Sequence, residues 1–125
     1  MNAQKFDNLD HLGDDELDKR FTREAIASAI EVHQIHKLPP RQRWLNIIAE
    51  YGSAAKAWKS KNDTGYSSGF ADLAMAGLYH LTVEYKVLMP QFKRLFSADD
   101  RRLAAKLLLQ YGWPLERLDD VGCLA

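Results

Sequence analysis

Residues 70–90 read FADLAMAGLYHLTVEYKVLMP, and the reading of this stretch decides the fold. At about 100° per residue, Phe70, Ala74, Leu78, Leu81, Tyr85 and Leu88 fall on one stripe of a helix. Met75, Tyr79 and Val83 fall nearly opposite. A helix apolar on two sides must be covered on both, so the pattern predicts a central helix over roughly 69–89, wrapped by the others. Asp72, His80, Glu84 and Lys86 interrupt it, and such charges are costly in hydrocarbon, so no membrane span is expected.

Working outward toward the N-terminus, Tyr66–Gly69 reads as a loop in which Ser67 or Ser68 caps the central helix, and Asn62-Asp63-Thr64-Gly65 reads as a turn. Before it, Trp44, Ile47, Ile48, Tyr51, Ala55 and Trp58 repeat at helical spacing, which predicts one amphipathic helix from Pro40 to about Lys61. Gly52 either weakens that helix or marks close packing. Leu38-Pro39-Pro40 ends an earlier helix, because the residue before a proline is pushed out of the helical region. That earlier helix begins at Asp14-Asp15-Glu16, whose carboxylates suit the positive end of the dipole. Thr22 is a possible internal cap, so the sequence leaves open one helix or two over 14–36. Residues 1–12 are polar and expected to be loosely held.

Toward the C-terminus, Pro90 forces a break. A short helix is expected over Gln91–Phe96. Ser97-Ala98-Asp99-Asp100 resembles a capping box with Asp in place of Glu. A helix carrying Leu103, Leu107, Leu108 and Tyr111 inward follows, Gly112 suits its left-handed end, and Pro114 restarts a last short helix. With short connections and no repeat, the expectation is a single all-α domain over 1–125, a compact bundle of about five helices.

The chain has 125 residues, is 46% hydrophobic and 27% charged, and sums to zero formal charge, which is ordinary for a folded domain and gives no global signature for nucleic acid. The single Cys123 has no internal partner, and the polar, acidic N-terminus lacks the apolar run of a signal peptide, so a cytoplasmic setting is expected. Charge is nevertheless segregated. Residues 1–20 carry six acids against three bases, residues 21–62 seven bases against three acids, and residues 86–106 six bases against two acids. Such asymmetry marks either a partner surface or merely solvated helix faces.

Chemistry is sparse. His33 and His36 share a helix face, but Glu31 falls on another and no Glu-x-x-His is present, so no metal site is expected. Imidazoles near a helix end bond exposed carbonyls instead. His80 and Glu84 are one turn apart without a third group, and Cys123 has no histidine near it in sequence. No phosphate loop or nucleophile elbow occurs, so neither an enzyme nor a cofactor is expected. Leu103–Leu118 has the outline of a helix-turn-helix, but its second helix carries three acids against one base, which is wrong beside phosphates.

What remains is a surface. Arg41, Arg43, Lys56 and Lys59 flank a helix stripe that includes Trp44 and Trp58, and Trp113 sits in a turn rather than a stripe. Trp, Tyr and Arg dominate interface energetics, so these seven residues form the candidate protein-binding set. The aromatic rings also suit base stacking, although helical spacing places them in a core first. The size, compactness and missing chemistry resemble small accessory proteins of bacteria and their phages. The expected function is a non-catalytic, protein-binding regulatory module, such as one that modulates or inhibits a nucleic-acid-processing enzyme. The alternative is a DNA- or RNA-binding regulator using the basic face. Oligomeric state is left open by the sequence.

Overall fold

A computed structural model describes residues 12–64, 70–110 and 112 of the chain. These residues are mostly helical, with no strand among them: α1 (Asp14–Gln34), α2 (Gln42–Tyr51), α3 (Ala54–Thr64), α4 (Phe70–Met75), a 3-10 helix (Tyr79–Leu81), α5 (Val83–Val87), a second 3-10 helix (Pro90–Leu95) and α6 (Ala98–Gln110). The all-α class and the compact bundle follow the sequence. Residues 1–11, the cap expected at Ser67 or Ser68, Tyr111, Trp113, the last helix from Pro114 and Cys123 lie outside the described residues.

The long helix is not where the apolar run placed it. The 70–90 stretch is interior, with Leu73, Ala74, Leu81, Val83, Val87 and Leu88 buried, but it is broken into three short pieces. Gly77 is the first cause. It turns left-handed at φ 76°, and the amides of Gly77 and Leu78 fold back onto the carbonyls of Ala74 and Leu73 at 3.0 and 2.9 Å. Thr82 is the second. Its extended backbone stops the 3-10 turn, and its hydroxyl accepts from Tyr85 N–H at 3.1 Å to cap α5. Once the run is broken, the two-sided stripe no longer exists, and Met75 points to solvent at 84% exposure.

Helix α1 takes the central role instead. It is continuous through Phe21–Thr22 and packs against α2, α3, α5 and both 3-10 helices. Phe21 is fully buried and meets Phe92 and Phe96 edge-on, each at 5.1 Å between ring centroids. Trp58 extends the cluster, 5.8 Å from Phe96. Edge-to-face rings satisfy their quadrupoles while burying large areas, so this aromatic group anchors the main core. A smaller second core gathers Val32, Leu73 and Leu81 near the end of α1, half-covered by Leu38 and Leu78.

The helix expected over 40–61 is also two helices. It starts at Gln42 rather than Pro40, and Gly52 ends α2 in the left-handed region at φ 73°. No atom crowds Gly52, so backbone freedom rather than close packing is its role. Ser53 then caps α3: its hydroxyl accepts from Lys56 N–H at 3.1 Å and donates to Asp18 on α1 at 2.7 Å. Thr22, read as a cap for its own helix, caps α3 from the side, accepting from Ala54 N–H at 2.9 Å. The Ser97–Asp100 capping box forms reciprocally, at 3.0 and 3.1 Å, and Gly112 is left-handed as expected. No helix among the described residues is long and apolar enough to cross a membrane.

Candidate functional site

A small cavity with a mostly apolar lining lies where α1 meets α2, α4, the first 3-10 helix and α5. Ala25, Ala29 and Val32 form its floor, Leu73, Leu81 and Val83 its apolar wall, and Arg41, Trp44, Thr82, Glu84 and Lys86 complete it. Small residues at 25 and 29, one turn apart, leave the space. The enclosed volume is about 20 Å³, enough for a water or two, and the atom-free space counted out to the mouth is about 360 Å³. Arg41 is the only lining residue that is not buried, so the mouth lies beside it.

Three charged residues meet this space. Glu84 is 1% exposed, and its Oε2 accepts from the indole N–H of Trp58 at 2.9 Å. Lys86 is buried on the same short helix, its ammonium 3.5 Å from the His80 carbonyl oxygen. Burial pushes the Lys86 pKa below its ordinary value, and the negative charges of Glu24 and Glu31 oppose this only in part. Glu24, Ser28 and Glu31 run along one stripe of α1, at spacings of four and three, beside the cavity floor. Arg101 on α6, which packs against α5, is also buried.

The candidate set from the sequence is divided. Trp44 and Trp58 are 4% and 0% exposed, so both are core residues and neither is a surface anchor. Arg43, Lys56 and Lys59 are exposed. Lys59 lies over the Phe96 ring, 5.4 Å from its centroid, at the Phe21 end of α1, whereas Arg41 opens the cavity at the Val32 end. Eleven helical residues separate those ends, about 16 Å. Lys59 and Arg41 therefore lie toward different ends of α1. Trp113 lies outside the described residues.

The histidines are parted too. His33 Nδ1 is 3.0 Å from the Leu38 carbonyl oxygen, and His36 Nε2 is 3.4 Å from Glu31. His80 is exposed while Glu84 is buried, because the break at Thr82 turns them to different sides. Among the described residues no three metal-ligating side chains come together. Lys86 was missed as a site residue. Its signal is a charge set directly between Tyr85 and Val87 in an apolar run.

Comparison with known protein families, with curated proteins and with solved structures yields no match to this chain.

Proposed function

We propose that the protein is a non-catalytic helical module that binds another protein and regulates it. The observation that carries this reading is the apolar end of the bundle. Ile35, one turn beyond Val32, is 66% exposed, and Met75, two residues past Leu73, is 84% exposed. Val32 and Leu73 pack together in the small core, with half-buried Leu38 and Leu78 against it, and Ile35 and Met75 follow those two core residues closely in the chain. Large apolar groups grouped on a surface are a mark of protein association. Nucleic-acid binding ranks below it, because Trp44 and Trp58 are enclosed and cannot stack on bases.

The test is affinity capture from the source cell with the wild-type chain and with an Ile35→Asp/Met75→Asp double variant. A protein retained by the first and lost by the second, with folding intact by circular dichroism, supports the reading. Equal capture by both sinks it. Filter binding to duplex and single strand at two salt concentrations gives the competing class its own readout.

A further inference from the structure

The last described residue stands beside exposed apolar surface. A Cβ at Gly112 would lie 3.2 Å from the Tyr79 hydroxyl oxygen, so the backbone at residue 112 passes against the side chain of Tyr79. Gly112 N–H donates to the Leu109 carbonyl at 3.2 Å, and Leu109 is 40% exposed. Across the contact, Leu78 is half-buried next to Tyr79, and Met75 is 84% exposed. Four residues separate Met75 from Tyr79, so their Cα atoms are at most about 14 Å apart. The bend at Gly77, where Leu78 N–H bonds back to the Leu73 carbonyl at 2.9 Å, brings them nearer than that. Leu109 and Met75, two of the large exposed apolar side chains, are therefore both within reach of the point where residue 113 follows.

Residues 113–125 read WPLERLDDVGCLA. Leu115, Leu118 and Val121 recur at every third position, which puts them on one face of a helix and Glu116, Asp119 and Asp120 off it. Such a face needs apolar surface to cover. We propose that residues 113–125 fold back over the surface carrying Met75, Leu78 and Leu109 and cover it with Leu115, Leu118 and Val121. The length allows it, since thirteen residues span up to about 43 Å when extended. Attachment at Gly112 makes the contact intramolecular, with an effective concentration on the order of millimolar, so individually weak apolar contacts suffice. Acids on the opposite face stay in water, where they cost nothing. The assignment goes beyond the protein-binding reading and is read on the isolated chain. Where that reading also holds, this segment is what a partner displaces.

The test attaches a nitroxide to Cys123, the single cysteine, in the full isotope-labelled chain and records amide spectra by NMR. The expected result is loss of the Ala76, Gly77 and Leu78 amide signals while those of residues 15–19, at the far end of α1, are kept. Leu118→Asp should restore the lost signals. Without the nitroxide, the same substitution should shift those three amides and leave residues 15–19 in place. Signals at residues 76–78 that survive the nitroxide overturn the proposal, and so does a loss that Leu118→Asp leaves unchanged, which is what a loose tether gives. A third measurement mixes nitroxide-bearing chain without isotope with isotope-labelled chain without nitroxide. The full loss appearing there makes the occupant a second copy and overturns the proposal as well.

Discussion

The indole N–H of Trp58 donates to Glu84 Oε2 across 2.9 Å, and the two side chains are 0% and 1% exposed. One bond thus ties α3 to α5 in the interior and supplies a donor to a carboxylate that burial would otherwise leave costly. Trp58→Phe keeps most of the ring volume and removes the donor. It should destabilise by about 3 kcal/mol, near the upper range for depriving a buried charged group of a partner. Glu84→Gln keeps an acceptor and should cost less. Urea unfolding of the two variants and their combination measures the coupling, which should be non-additive because the residues touch.

Lys86 gives stability a definite pH dependence. Its folded-state pKa lies below the ordinary 10.5, so between the two values the unfolded chain binds more protons than the folded one. Stability then rises with pH through that window, is fully gained above 10.5, and is lost again as pH falls through the folded value. Lys86→Met removes the charge and leaves this residue no slope. The variant should be as stable as wild type or more so at pH 7, since replacing a buried ion by an apolar group of similar volume is often favourable. Its advantage should shrink as pH is raised toward 10. A constant difference in unfolding free energy across that series would contradict the assignment.

Two left-handed residues predict opposite signs. Gly77 stands at φ 76° with open space around a would-be Cβ, so Gly77→Ala carries only the backbone penalty, about 1–2 kcal/mol. Lys37 stands at φ 61° just past α1, where its Nζ bonds the Gln34 carbonyl at 2.8 Å. That exposed contact offsets little, so Lys37→Gly should stabilise by about 0.5–1 kcal/mol. Thermal melts of the pair, side by side, decide it.

The capping signals were legible because they are local. Ser97–Asp100 and Gly112 act within a few residues of themselves, and each does what its residue type dictates. The interior of residues 70–90 was legible as buried but not as broken. Periodicity weighs side chains, whereas Gly77 and Thr82 act on the backbone, and a glycine within an apolar stripe gives no sign of its φ. Helical spacing points Trp44 and Trp58 to the core, where they lie, yet both also stand in the candidate binding set, and a linear pattern does not reveal that Gly52 splits the helix carrying their basic neighbours. The cavity was invisible for a different reason. It depends on Ala25 and Ala29 meeting Glu84 and Lys86 across the bundle, and no linear pattern joins residues so far apart.

The two cores should open separately. Leu88 is fully buried in the main core with Phe21 and Trp58, so Leu88→Ala should cost about 2–5 kcal/mol of global stability. Leu73 is 5% exposed but belongs to the small core, on a helix of six residues that packs chiefly on the neighbouring 3-10 turn. Removing its side chain takes away much of what holds α4 down while leaving the aromatic cluster intact. Leu73→Ala should therefore accelerate hydrogen exchange at the Ala76, Gly77 and Leu78 amides, which close the end of α4, far more than at the amides of α1. Its effect on the main melting transition should be smaller than that of Leu88→Ala. If both variants instead lower the melting transition equally and protect the same amides, the bundle unfolds as one unit and α4 is no separable element.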